Sequence, residues 1–186
     1  MKKFFFLLLI TLLITGCNKS VDINTIDEVK IDDLVEYKGT NLGDNSRVGS
    51  IISILPGGGS YREFELNNGN AITVVYGVKE GSTITDETFS DYWLNNDTIE
   101  KNFLYNALSM FILIENLEEI TLKVDSDSYY SVSFERESFE RGLPSSFKVY
   151  RDDVQIWKNE LVDGIVNLET ERENIFKEYP IQTNSK

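Results

Sequence analysis

Apolar residues recur along this chain in three rhythms, and each predicts a different kind of element. The first is a continuous run, Phe4 to Ile14 behind Lys2 and Lys3. It is too short to span a bilayer, which takes about 20 apolar residues, and it has the layout of a secretory leader. The second rhythm is helical. In "TIDEVKIDDLVEYKG", Thr25 and Glu28 stand at capping-box spacing, and Ile31, Leu34 and Val35 share one face before Gly39 ends the element. In "GDNSRVGSIISILPGGG", Val48, Ile51, Ile52 and Leu55 make a core-facing stripe that Pro56 and three glycines stop, with Asp44, Asn45 or Ser46 as the N-cap.

The third rhythm alternates. Phe64 and Leu66 fall on one face of a strand, and Ile72, Val74 and Tyr76 fall on one face of the next. A two-residue turn at Asn68-Gly69 would split these residues between opposite faces. A three-residue loop of Asn68, Gly69 and Asn70 pairs Leu66 with Ile72 and Phe64 with Val74, and this is the predicted register. A second hairpin repeats the arrangement: Ile120, Leu122 and Val124 face Tyr130, Val132 and Phe134 across a loop of Ser126 to Ser128.

Between the hairpins, after an aromatic connection "TFSDYWLNN", lies the strongest helical stripe. Ile99, Phe103, Ala107, Met110, Phe111 and Ile114 are widened by Leu104 and Leu108, with Asp97 and Glu100 at the start. After a turn-like stretch around "RESFERGLP", Val154, Trp157, Leu161 and Val162 predict a last helix, with Gly164 as its stop. The expected fold is α+β, an antiparallel sheet from two β-hairpins packed against amphipathic helices.

The expected organisation is a leader over residues 1–16, a lipidated cysteine and tether over 17–24, a single α+β domain over 25–165 and an acidic tail over 166–186, at best partly helical. Cys17 is the sole cysteine of the chain. The preceding Ile14-Thr15-Gly16 resembles the bacterial lipobox, which implies a diacylglyceryl group on Cys17 and cleavage after Gly16. Two acyl chains suffice for stable anchoring, since each buried methylene contributes about 0.8 kcal/mol. The expected location is the extracytoplasmic face of the cell membrane. An ordinary leader with an incidental thiol is the alternative. Asn18 to Asn24 could lift the domain by roughly 20 Å at ~3.3 Å per extended residue.

Charge narrows the partners. Removing residues 1–16 takes two of the 18 basic residues and none of the 31 acidic ones, leaving a net charge of −15. Such a surface is repelled by nucleic-acid phosphates and anionic headgroups, so no nucleic-acid partner is expected. The membrane is expected to be a partner only through the lipid anchor. A basic partner, a cation or a neutral ligand fits the charge.

"YKGTNLGDNSRVG" and "NALSMFILIENLEEITLKV" resemble an uncharacterised domain family of small lipoproteins from low-GC Gram-positive bacteria, over residues 31–134. The family is similar to domains attached to membrane metallopeptidases of the antibiotic-sensing type, which implies extracytoplasmic sensing or partner binding. It carries no assigned activity and no established site residues. On the residues themselves, Gly39 and Gly43 suit positive φ, and Asp44, Asn45 and Ser46 suit a helix cap. The alternative is that Gly43, Asp44, Asn45 and Ser46 hold an anion or carboxylate ligand at the helix start.

Histidine is absent, which removes Ser-His and Cys-His nucleophilic systems and the commonest near-neutral base. "PGGGS" lacks the Gly-Lys-Ser/Thr ending of a phosphate loop. Ser145-Ser146-Phe147-Lys148 fits the S-x-x-K spacing without its companion motifs. Asp125-Ser126-Asp127-Ser128 lacks the central glycine and distant Glu of a calcium loop. The acid pairs Asp32-Asp33, Glu118-Glu119 and Asp152-Asp153 read as solvated faces or helix-start charges. No catalytic residue, metal site or cofactor is expected.

The leading expectation is therefore a non-enzymatic binding, sensing or regulatory domain of the cell envelope with an envelope protein partner. The alternatives are a His-independent envelope hydrolase working with carboxylates and a cation-binding lipoprotein. Tyr37, Tyr92, Trp93, Tyr129 and Tyr150 are candidates for contact surfaces.

Overall fold

The computed structural model describes residues 23–186, so the leader, Cys17 and most of the tether lie outside the described residues. A single 3-10 turn, Ile26–Glu28, precedes α1 (Ile31–Val35). The Glu28 carboxylate accepts from both the Thr25 N–H (2.8 Å) and its hydroxyl (2.9 Å), closing one turn. Val29 and Lys30 are then extended, so the one helix expected here is two short pieces.

Helix α2 (Asn45–Ile54) runs into the glycine turn and β1 (Tyr61–Asn67), followed by β2 (Ala71–Gly77). Asn68 and Gly69 take φ of 54° and 81°, and the loop sets Leu66 opposite Ile72 and Phe64 opposite Val74, the predicted register. The connection to the second hairpin contains α3 (Asp86–Trp93) and α4 (Thr98–Leu113). The stretch expected to be an aromatic connection is helical because the Thr85 hydroxyl accepts from the Thr88 N–H at 3.1 Å, with Asp86 and Glu87 in the positive first turn.

Strands β3 (Glu119–Asp125) and β4 (Ser128–Glu135) pair with Ile120 opposite Phe134 and Leu122 opposite Val132. The rest of the chain is α5 (Arg136–Arg141), α6 (Phe147–Asp152), α7 (Val154–Ile156) leading into a π-helix at Trp157–Val166, then α8 (Glu169–Glu178) and β5 (Gln182–Ser185). The turn-like stretch of the sequence reading is thus α5. Its expected acidic tail is α8 and a short strand paired with β4, Ser128 opposite Ser185.

Among the described residues five strands form one sheet in the order β1-β2-β3-β4-β5. The sheet is mixed, which corrects the purely antiparallel expectation: β2 and β3 are parallel, Ile72 beside Ile120 and Val74 beside Leu122. Parallel neighbours need a crossover of a dozen residues or more, and the segment carrying α3 and α4 supplies it. Ile72, Val74, Tyr76, Ile120, Leu122, Val124, Val132 and Phe134 join one core cluster with α4, whose residues from Asn102 to Leu113 are all buried. The opposite sheet face carries groups such as Thr121 and Ser133, whose hydroxyls bond at 2.8 Å. Leu66 on edge strand β1 stays 38% exposed.

Candidate functional site

Thr40 of the YKGT stretch, together with Arg136 and Arg151, builds a clamp on the end of the central helix. An α-helix leaves its last four carbonyls without partners, and burying them so is costly. Here each is supplied from elsewhere. Arg136 donates to Phe111 O and Ile114 O, both at 2.7 Å, and also to Leu117 O. Arg151 donates to Ile112 O at 2.7 Å, and the Thr40 N–H donates to Leu113 O at 3.0 Å. The Glu115 N–H returns a bond to Thr40 O at 3.0 Å, and the Asn116 side chain accepts from the Leu42 N–H at 2.7 Å.

Arg47 locks the motif from within. It donates to the Thr40 hydroxyl (3.1 Å) and to Glu36 O (3.0 Å), and its guanidinium lies 5.2 Å from the Tyr37 ring centre. Gly39 adopts φ of 75°. Asp44 is the N-cap of α2, accepting from the Arg47 N–H at 3.1 Å, and the Gly43 N–H is taken by Asn41 Oδ1 at 2.9 Å. Asn45 and Ser46 begin the helix. Asp44, Asn41 and Arg47 are thus engaged in capping or in bonds within the motif, whereas the Asn45 and Ser46 side chains are exposed and have no hydrogen bond among the described residues.

A second lock holds the N-terminal segment. Asn24 O accepts from the Tyr92 hydroxyl (2.6 Å) and the Gly57 N–H (2.8 Å), while the Asn24 side chain donates to Ser53 O and Ile54 O, both at 3.1 Å. The Asn102 side chain completes the chain of bonds by donating to the Tyr92 hydroxyl at 2.9 Å. Burial pushes the Tyr92 phenol up to about 12, so it remains a donor at neutral pH.

Immediately after this lock the chain forms one wall of a cleft of about 720 Å³. Residues from Ile26 to Asp32 make that wall, the segment from Asp152 to Asn167 makes the other, and Tyr105 of α4 lines the cleft between them. Five aspartates and two lysines line it: Asp27, Asp32, Asp152, Asp153 and Asp163 with Lys30 and Lys158. Three of the acids are engaged. Asp163 pairs with Lys158 at 2.5 Å, Asp152 pairs with Lys148 at 3.0 Å, and Asp153 caps α7 through the Gln155 and Ile156 N–H groups. The hydrogen bond and charge of Lys148 hold the Asp152 carboxyl below its ordinary range.

Asp27 and Asp32 have no hydrogen bond or ion pair among the described residues. Tyr105 is only 2% exposed, yet its hydroxyl also lacks a partner among them, and burial raises its pKa. One cleft wall is the π-helix, a rare geometry that occurs often at functional sites, closed by the Asn167 N–H on Val162 O at 2.9 Å. Sequence reasoning took Asp32 and Asp152 as solvated charges and missed Tyr105. The available signal was a polar-tipped ring in the otherwise apolar stripe "NFLYNALSMF".

The remaining candidates are occupied by the fold. Asp97 and Glu100 do not cap α4 through their side chains. Both face the buried Arg172 of α8, and Asp97 also pairs with Lys101 at 3.1 Å. Burial pushes the Glu100 carboxyl up. Burial pushes that of Asp97 the same way, but Lys101 and Arg172 outweigh it and hold the group down. Asp125 is bound by Arg62 at 2.6 Å and Lys186 at 2.7 Å. Lys148 of the S-x-x-K stretch is the partner of Asp152. Trp93 and Tyr150 are core residues, whereas Tyr129 is 44% exposed. Among the described residues no three His, Cys, Asp or Glu side chains are grouped to hold a metal ion.

These features define a class first. Residues 1–18 match the prokaryotic membrane lipoprotein lipid attachment site, a span whose one cysteine is Cys17, and no helix among the described residues is long and apolar enough to cross a membrane. The chain is a membrane-anchored lipoprotein. Its folded part matches Domain of unknown function (DUF4825) over residues 34–135, and the chain belongs to that family. No curated protein and no solved structure matches it.

Proposed function

We propose that this lipoprotein is a non-enzymatic binding module of the cell envelope, held on the extracytoplasmic face so that its cleft stays close to the membrane. The observation that carries this reading is the position of the Asn24 lock. Seven residue-to-residue steps along the chain join it to Cys17, a reach of roughly 25 Å at most. The cleft wall begins two residues later, at Ile26. An anchor attached so near a cleft restricts its encounters to molecules at the membrane surface and raises their effective concentration there. A sensing or regulatory use of the same arrangement is part of this proposal.

Lipidation at Cys17 is the first test. Cys17→Ser is expected to move the protein from the membrane fraction to the medium and to abolish incorporation of labelled fatty acid. Retention without lipid label would overturn the anchor. Crosslinking in intact cells, with the released form as control, then tests the module. An envelope protein captured by the anchored form and lost on release supports it, and background capture alone, when a known pair crosslinks normally, counts against it.

A further inference from the structure

The cleft beside the Asn24 lock combines features that a merely solvated acidic face does not need. Tyr105 is supplied by the central helix, is 98% buried, and has a hydroxyl without a partner among the described residues. The ring is packed in the core, and the hydroxyl at its tip is not among the enclosed polar atoms, so it opens onto the cleft, where it can bond to something that enters. Asp27 and Asp32, on the wall that the N-terminal segment forms, likewise carry charges with no counter-ion. The lining acids exceed the lining lysines by five to two.

Between the charges the walls are apolar: Ile26, Val29 and Ile31 on the N-terminal side, Val154 and Val162 on the other. A spherical metal ion would use only the oxygens, and the acids are not grouped to hold one. A cation carried on an aliphatic stem uses both parts of the lining, because its methylenes cover apolar surface while the charged head meets carboxylates. The volume of about 720 Å³ falls within the range of small-ligand sites.

We propose that this cleft binds an alkylammonium group, presented by a lysine-bearing polypeptide segment or by a free polyamine. Asp27 and Asp32 supply the charge, and the Tyr105 hydroxyl accepts a hydrogen bond from the ammonium. Lys30 and Lys158 set the limit on how many positive charges the site takes, and Lys158 is already committed to Asp163. This assignment rests on the binding-module reading and gives it a ligand chemistry.

The test is titration calorimetry on the full lipidated chain in neutral detergent micelles at low salt, with spermine and acetyl-tetralysine amide as probes. Saturable binding of one or both is expected. Binding of the peptide alone assigns the polypeptide source, and binding of spermine alone assigns the polyamine. Asp27→Asn with Asp32→Asn should weaken binding by about tenfold, and Tyr105→Phe by about threefold or more. None of these side chains has a partner whose loss would threaten the fold.

Glu65→Gln with Glu80→Gln removes the same charge from exposed positions that do not line the cleft, and should leave affinity unchanged. Equal losses in the two double variants would reduce the effect to net charge and overturn the site. Absence of saturable binding for both probes, or no response to either cleft variant, would also overturn it. An envelope partner captured in cells with crosslinks mapping away from Asp27 and Asp32 would sustain the module while removing the cleft.

Discussion

The C-terminal end of α4 and the cleft beside its middle are both polar regions built on the same buried helix, but they differ in how their groups are used. At the helix end every orphan carbonyl has a donor, delivered by Thr40, Arg136 and Arg151 from three separate parts of the chain. Along the cleft, Asp27, Asp32 and Tyr105 have none among the described residues. Polar groups that satisfy one another stabilise a fold, whereas polar groups left open beside a cavity add nothing to stability and are available to a ligand. The stretch from Tyr37 to Arg47 belongs to the first kind. Thr40 holds the end of α4, Arg47 braces Thr40 and the Tyr37 ring, and Asp44 caps the start of α2, whereas Asp27, Asp32 and Tyr105 lie outside that stretch.

Arg136 carries most of the clamp. Its guanidinium is half-buried, donates to three carbonyls and lies 5.2 Å from the ring centres of both Phe111 and Phe147. Burial lowers its pKa from the ordinary arginine range, but the group stays protonated at any working pH. Arg136→Met keeps the aliphatic stem and removes the donors, and is expected to cost about 3 kcal/mol, read as a shift in the urea midpoint. A loss under about 1 kcal/mol would mean that water replaces the guanidinium and that the clamp is not structural.

Gly57 comes next, because the lock on Asn24 depends on its backbone. It holds φ of 80°, and a Cβ there would stand 2.2 Å from Trp93 Cζ2, within a ring that donates its own N–H to Ser60 at 2.9 Å. Gly57→Ala is expected to destabilise by about 2–3 kcal/mol from strain and displacement of the indole. Asn24→Ala removes only the two donors to Ser53 O and Ile54 O and should cost about 1–2 kcal/mol. If the lock fixes the cleft wall, amide exchange in residues 26–32 should speed up more in Asn24→Ala than in the rest of the domain.

The two hairpin registers were legible because period-2 patterns leave one loop length that collects all apolar residues on one face, as at Leu66 with Ile72 and Val124 with Tyr130. The parallel seam between β2 and β3 was not, since no local signal states which strands meet after a long crossover. Strand β5 is the polar sequence "QTNS", exposed throughout, and exists through pairing with β4 and through Lys186 on Asp125. Helix α3 carried a readable cap in Thr85 and an acidic first turn, obscured by its aromatic composition. Of the site, the capping role of Asp44 was readable from spacing. The bond from the Leu42 N–H to Asn116, 74 residues away, and the opening of Tyr105 onto a cleft depend on tertiary placement.

Acid offers a smaller and more local perturbation at the sheet edge. Burial pushes the Asp125 carboxyl up, but bonds to Lys186 and Arg62 outweigh this and hold it below its unfolded value. A depressed carboxylate contributes stability that is fully present above the unfolded pKa, about 4, and is lost as pH falls through the lower folded value. Lowering the pH below about 4 should therefore release β5 first, seen as faster amide exchange at residues 182–185 while β2 and β3 stay protected. Asp125→Asn should reproduce that loosening at neutral pH.

The smallest expected effects on stability fall at the cleft. Tyr105→Phe removes a hydroxyl that bonds to nothing among the described residues from a ring that stays packed on α4. Since no donor or acceptor is orphaned by the change, and desolvation of the hydroxyl is relieved, the unfolding free energy should shift by less than about 0.5 kcal/mol, toward greater stability if at all. Asp27→Asn with Asp32→Asn should be equally mild, because it reduces repulsion in a chain with a large excess of acid. A loss of 1 kcal/mol or more in either variant would show that these groups support the fold, as the groups of the clamp do. Unchanged or raised stability is what residues kept for a ligand should give.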